Sequence, residues 1–343
     1  MNLLNLSFEE MENFLTTLGE PRYRARQVWQ WLWRKGCPHF RDMTDIPKGL
    51  RVKLEECADV SRPRIQTVQE SRDGTIKFLL GLSDGALVET VLIPERDHFT
   101  QCLSCQVGCA MACTFCATGQ MGFVRNMIQS EILGQVLVVR EFLRKRGLTK
   151  RLTNLVFMGM GEPLLNLKEL LRSLTALRHD LGLNFSSRRI TVSTVGFPKG
   201  LRTLGQSGLA QLAVSLHAPT QDLRRQIMPK AAEVPLDILM TALDHYPLRP
   251  RQRITFEYLL LHGINDGPDQ AKGLARLLAG KKAKVNLIPF HPSEGLPYRP
   301  SDPDAVLAFE RILWDKGLTV VLRKSKGQDI QAACGQLRTA LAS

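Results

Sequence analysis

Cys109, Cys113 and Cys116 lie within the run Cys109-Ala110-Met111-Ala112-Cys113-Thr114-Phe115-Cys116, at a C-x3-C-x2-C spacing. Thiolates packed this densely select soft metals. Three of them hold three irons of a four-iron cluster and leave the fourth iron open to a ligand. Cys thiolate is the ligand such clusters require. Zinc is the other reading. Structural zinc wants four closed ligands, usually as two C-x2-C pairs around a spacer. Here one C-x2-C pair follows a third cysteine four positions earlier, and Cys102 or Cys105 could complete a four-thiolate site. Both readings stay open on spacing alone.

Further along, Met158-Gly159-Met160-Gly161-Glu162-Pro163 follows an apolar strand-like run. Glycines there allow close approach of the backbone to a ligand, and the Glu162 carboxylate could hold an ammonium group. Ser193-Thr194-Val195-Gly196 and Ser215-Leu216-His217-Ala218 end the next two runs in the same polar way. Each string alone reads equally as a tight turn or a satisfied structural histidine. Three polar strand ends in consecutive units, after a three-thiolate loop, point to a ligand site.

The elements that must position these residues are legible in outline. Residues 1 to about 60 read as helical: Ser7 and Glu10 form a capping box, and Val28, Trp29, Leu32 and Trp33 recur at helical spacing. Trp29, Trp31 and Trp33 are read as core rather than as base-stacking platforms. Thr75–Leu82 and Ala86–Pro94 are strand-like runs joined through Asp84-Gly85, a hairpin signal. A boundary is expected near residue 95. Beyond it, strand candidates at Asn154–Met160, Ile190–Val195, Leu212–His217, Ile254–Leu261, Val285–Pro289 and Leu318–Arg323 alternate with amphipathic helices such as Ile128–Arg146. The alternation predicts parallel β/α units. About six of them suit an incomplete barrel rather than a closed one, with the chemistry at the C-terminal strand ends.

The 343 residues carry 46 Lys and Arg against 33 Asp and Glu, a formal charge of +13 that favours a polyanionic partner. The basic residues cluster, for example at Arg144-Lys145-Arg146, Lys281-Lys282 and Arg323-Lys324, and this recurrence favours nucleic acid over a merely solvated surface. No apolar run reaches the length of a membrane span, and no secretory signal is visible at the N-terminus. Five of eight cysteines fall between residues 102 and 116. Without an export signal, a disulfide framework is not expected, and metal-binding or reactive thiols in a reducing cytoplasm fit better. Cys37 and Cys57 are expected to be small core residues.

The cysteine spacing resembles that of the radical S-adenosylmethionine (radical SAM) enzymes. The resemblance sharpens with Cys102-Leu103-Ser104-Cys105-Gln106-Val107-Gly108-Cys109, Cys116-Ala117-Thr118-Gly119, Gly159–Pro163, Ser215-Leu216-His217, Asn286-Leu287-Ile288-Pro289 and Ala332-Ala333-Cys334-Gly335-Gln336-Leu337. Together these resemble the RlmN/Cfr family of RNA methyltransferases nearly end to end, with RlmN the nearer branch. The resemblance implies an α/β fold. A partial (β/α)6 radical SAM barrel over residues 96–343 would end in a loop carrying Cys334. A small, mainly helical accessory domain with a β-hairpin extension, residues 1–95, would help bind RNA.

The resemblance also implies roles. Cys109, Cys113 and Cys116 would ligate a [4Fe-4S] cluster whose open iron chelates SAM. An adenine ring carbon is a poor nucleophile and does not attack the SAM methyl directly. In the family a cysteine matching Cys334 takes the methyl from a first SAM. A second SAM, split at the cluster, generates a radical on that S-methyl group, which adds to the ring. A cysteine matching Cys102 resolves the protein–RNA link by forming a disulfide with Cys334. Glu89 matches the proton acceptor. Gly161, Glu162, Ser193, Ser215, Leu216 and His217 match SAM contacts. His291 stands where the family usually has Asn and is kept as a contact because it too donates and accepts hydrogen bonds. Cys105 stands where Ser is common and receives no role. The implied substrates are an adenosine of 23S rRNA at the peptidyl-transferase centre and the adenosine beside the anticodon of some tRNAs, methylated at ring position 2. Cfr-type methylation at position 8 and a zinc-stabilised RNA-binding module without catalysis are the alternatives. A cytoplasmic monomer, reduced by a donor such as flavodoxin or ferredoxin and without membrane attachment, completes the expectation.

Overall fold

The computed structural model describes residues 1–293 and 295–339. Its N-terminal part is helical: α1 (Phe8–Thr17), α2 (Tyr23–Trp29, continued by a π-helical turn at Gln30–Arg34) and α3 (Lys48–Cys57). The capping box is formed, since the Ser7 amide donates to Glu10 at 2.6 Å and the Glu10 amide donates to Ser7 Oγ at 3.1 Å. Trp29 and Trp33 are fully buried. Trp31 is half-buried, with the Lys35 ammonium 3.3 Å from its ring centroid.

The strands are β1 (Arg64–Glu70), β2 (Ile76–Gly81), β3 (Leu87–Pro94), β4 (His98–Cys102), β5 (Gln106–Gly108), β6 (Phe123–Asn126), β7 (Arg151–Phe157), β8 (Ile190–Thr194), β9 (Gln211–Ser215), β10 (Ile254–Leu260), β11 (Ala283–Pro289) and β12 (Thr319–Leu322). Ten of them form one sheet in the order β1-β2-β3-β4-β7-β8-β9-β10-β11-β12, and β5 pairs only with β6. From β4 to β12 the pairing is parallel throughout. The ends, β1 and β12, do not pair with each other, so the barrel is open. The helices after the hairpin are α4 (Ala117–Gln120), α5 (Gln129–Lys145), α6 (Leu167–Arg178), α7 (Pro198–Ser207), α8 (Gln221–Ile227), α9 (Leu236–Asp244), α10 (Pro268–Leu277) and α11 (Pro303–Asp315).

All six expected parallel strands are present, and β4 adds a seventh on the N-terminal side of the cysteine loop. The Asp84-Gly85 turn closes the hairpin with Gly85 at φ +84°, a conformation that favours glycine. β1 escaped the sequence reading because its residues are exposed on both faces and show no alternation. The turn at residues 95–97, where a boundary was expected, joins β3 to β4, two paired strands of one sheet. The helical part packs on the core instead: Gln129 Nε2 donates to the Leu4 carbonyl at 2.7 Å, and the Trp29 ring sits 5.1 Å from that of His179. Cys37 is buried as expected. Cys57 is exposed, a correction: helical spacing puts it on the face of Leu50 and Leu54, but it is the last residue of α3, where burial ends.

Candidate active site

At the C-terminal ends of β7 to β10 lies a cavity of about 150 Å³. Cys109, Cys113 and Cys116 line it together with Gly161, Glu162, Ser193, Ser215, His217 and Cys334. The cysteine loop is held at both ends. The Cys109 amide donates to the Gly122 carbonyl at 2.8 Å, and the Thr114 amide donates to the Ile227 carbonyl at 3.0 Å. Gly108, at φ +73°, allows this contact: a Cβ there would stand 1.9 Å from the Gly122 oxygen.

The donor set fits an iron–sulfur cluster. Three thiols face one cavity, and burial pushes all three above the ordinary thiol range, Cys109 up to about 12. Iron reverses this by holding each sulfur as thiolate. Each thiolate of such a cluster would sit on a different iron.

In the Gly159–Glu162 turn, Glu162 Oε1 accepts from Thr194 Oγ1 at 2.6 Å and from the Leu164 amide at 2.9 Å, and Oε2 accepts from the Val195 amide at 2.9 Å. The carboxylate thus braces the ends of β7 and β8 while it lines the cavity, with acceptor capacity left on Oε2. Gly161, at φ +100°, lies so close to Gln106 that a Cβ would come within 2.4 Å of its Cβ. Ser193 Oγ and Ser215 Oγ are 3.2 Å apart across adjacent strands. His217 is held in the left-handed region at φ +55°, and its Nδ1 accepts from the Leu259 amide at 3.0 Å, which leaves the proton on Nε2. Burial, with the Arg224 cation adding to it, pulls its imidazole down to about 3, so the ring is neutral. Leu216 packs into the core, and His291 is half-buried with Nε2 unpartnered; neither lines the cavity.

A second cavity, of about 480 Å³, adjoins the first and shares Cys116, Gly159 and Cys334 with it. Cys102, at the end of β4, lines this cavity with Met158, Arg323, Lys324 and Lys326. Burial pushes the Cys102 thiol up to about 12. Cys334 presents its surface to both cavities. Although the residue is solvent-exposed, desolvation by the surrounding walls raises its thiol, and the neighbouring Arg323 guanidinium opposes that rise. Glu89 lines neither cavity. It lies buried behind the C-terminal segment, where Oε1 pairs with Lys77 Nζ at 3.1 Å and Oε2 accepts from the Arg338 amide at 2.9 Å. Burial raises its carboxyl against the pull of Lys77.

Two residues of the site were not anticipated. Glu257 lines the first cavity from β10, opposite Ser215 and Asn286 in register. Asn286 Nδ2 donates to its Oε1 at 3.0 Å, while Oε2 is buried without a partner. The signal was available: Glu257 is the one charged residue in Ile254-Thr255-Phe256-Glu257-Tyr258-Leu259-Leu260. Arg323 follows β12 and had been read only as part of a basic cluster.

An open parallel sheet with three cluster-type thiols and polar strand ends around one cavity defines a radical SAM enzyme. Residues 103–275 match the radical SAM superfamily, and residues 1–60 match the ribosomal RNA large subunit methyltransferase N-terminal domain. The dual-specificity RNA methyltransferase RlmN of Solidesulfovibrio magneticus is 61% identical over 337 residues, covering 98% of this chain and 96% of that protein. The protein of the same name from Geobacter sulfurreducens is 48% identical, covering 98% and 92%. A crystal structure of a radical SAM methyltransferase from Sphaerobacter thermophilus superposes with a TM-score of 0.93 at 41% identity, covering 98% of this chain and 99% of that one. The chain belongs to the RlmN family of radical SAM RNA methyltransferases, and its cofactors are a [4Fe-4S] cluster and SAM.

Proposed function

We propose that this enzyme methylates ring position 2 of an adenosine in 23S rRNA and of the adenosine beside the anticodon in a subset of tRNAs. The name its relatives carry supports two RNA substrates. One observation carries the mechanism: Cys334 borders both the cavity of the cluster thiols and the cavity of Cys102. Bound at Cys109, Cys113 and Cys116, the cluster would supply the electron that turns SAM into a source of carbon radicals. Cys334 carries the methyl group as a thioether. Cys102, on the wall of a cavity that Cys334 also lines, supplies the second sulfur that displaces the product from Cys334 as a disulfide. Glu89 accepts the ring proton once the C-terminal segment, whose Arg338 amide now covers it, moves aside; its raised carboxyl makes it the stronger proton acceptor. Ser193, Ser215, His217 and the Gly159–Glu162 backbone form the wall that orients SAM.

Among the described residues no helix is long and apolar enough to cross a membrane. The reading takes the enzyme as a cytoplasmic monomer reduced by a flavodoxin or ferredoxin, with residues 1–95 contributing to RNA binding. Incubation of purified protein with SAM, a reductant and an unmodified 23S fragment, followed by nucleoside mass spectrometry, tests it. Methylation at ring position 2 is the expected result; position 8 would move the enzyme to the Cfr branch. Cys102→Ala should accumulate RNA covalently attached to Cys334. If Cys109→Ala is inactive while Cys102→Ala gives no adduct, the two-thiol assignment is wrong.

A further inference from the structure

We propose that the β1–β2 hairpin is the anchor that presents Cys334, with Asp73 and Asp329 as its fastening residues and Lys77 as the link from that anchor to Glu89. The proposal rests on Cys334 and Glu89 having the roles given above. The C-terminal segment touches the hairpin at four places. Asp329 Oδ1 accepts from Ser71 Oγ at 2.5 Å, and its Oδ2 accepts from the Arg72 amide at 3.1 Å. Asp73 returns the contact: its Oδ2 accepts from the Gly327 amide at 2.9 Å while Oδ1 accepts from the Thr75 amide at 2.9 Å. Lys77 Nζ donates to the Gln331 carbonyl at 3.3 Å and pairs with Glu89. Glu89 in turn accepts from the Arg338 amide. Gly327 sits at φ +67°, where a Cβ would come within 2.9 Å of Thr75 Cγ2, so the segment is seated closely at this end.

The other side of Cys334 is held by different contacts. The Ala117 amide donates to the Gly335 carbonyl at 2.7 Å, and Thr118 Oγ1 donates to the Leu337 carbonyl at 2.6 Å, both from α4 just after Cys116. Releasing these two bonds, that of Arg338 and the 2.9 Å bond from Gln336 Nε2 to the Pro292 carbonyl would let Cys334 move while residues 327–331 stay fastened. A thiol that is loaded in one place and delivers in another needs such a pivot. Because Lys77 belongs to the same hairpin, the pivot and the base are set by one rigid element. Asp73 and Asp329 are exposed, so replacing them removes the fastening without opening the core.

The test uses the full chain with Asp73→Ala, Asp329→Ala and Asp73→Asn. Trypsin cuts after Arg323, Lys324 and Lys326, and cleavage there follows the population of detached segment. Loss of the fastening bonds should speed this cleavage about tenfold in both alanine variants, with a smaller rise for Asp73→Asn, which keeps one acceptor. Melting temperatures should stay near the wild type. With the reconstituted enzyme, 5′-deoxyadenosine formed per RNA methylated should rise severalfold, a change that uniform loss of folded protein would not produce. Cleavage within twofold of wild type in both alanine variants, or an unchanged product ratio, overturns the proposal. Failure of the underlying reading shows elsewhere: the unaltered chain would then carry no methyl group on its Cys334 peptide after exposure to SAM.

Discussion

Glu257 shows how one buried residue carries a cost that its neighbours Arg323 and Asn286 offset only in part. Its Oε2 has lost water and gained no donor, which costs about 1–3 kcal/mol or more for a charged group. Burial raises its carboxyl accordingly. Glu257→Gln should therefore raise the melting temperature of the cofactor-free protein and weaken SAM binding by about tenfold, read by calorimetric titration. A variant that melts lower and binds SAM as before would remove Glu257 from the site. His217 gives the pH dependence. Its folded value of about 3 lies below the unfolded value near 6.5. The folded chain thus keeps the ring neutral where the unfolded chain takes up a proton. This contribution is complete above about pH 6.5 and is lost as pH falls towards 3, at up to about 1.4 kcal/mol per unit. Urea midpoints at pH 7.5 and 5.5 should differ less in His217→Gln than in the wild type.

The Gly159–Glu162 turn is the element on which the site depends most. It connects β7 to the rest of the cavity, and its glycines are places where no side chain fits. Gly161→Ala adds a methyl group against Gln106 at φ +100°, and should cost about 1–3 kcal/mol from overpacking alone. The displaced turn should also reduce cluster content after anaerobic reconstitution, read by the visible absorption of the brown protein, because Cys109 lines the same wall. The sequence marked this turn through its glycines and its carboxylate. The bonds by which Glu162 also braces the next strand end could not be seen from residue 162, because Thr194 and Val195 are distant in the chain. Leu216 turns its side chain into the core between two residues that face the cavity.

On the scale of the whole molecule, a charge of +13 predicts RNA binding that weakens steeply with salt. If six to ten phosphates are contacted, affinity should fall by about 10³–10⁵ between 50 and 200 mM salt, measurable by filter binding with an unmodified fragment. A slope near zero would place the basic clusters outside the interface. What the chain determined by itself was local and periodic: the thiolate spacing, the alternation of strand and helix, the capping box, the Asp84-Gly85 turn and the polar strand ends. Those patterns depend on neighbours a few residues apart, so a string displays them. The tertiary structure decided which distant residues meet. It drew the hairpin of residues 64–94 into the catalytic sheet, brought Asp329 to Ser71 and placed Cys334 between two cavities. It also left one Glu257 oxygen without a donor. Hydrogen bonds and burial between segments up to 258 positions apart depend on how the sheet closes on itself, and no local periodicity encodes that.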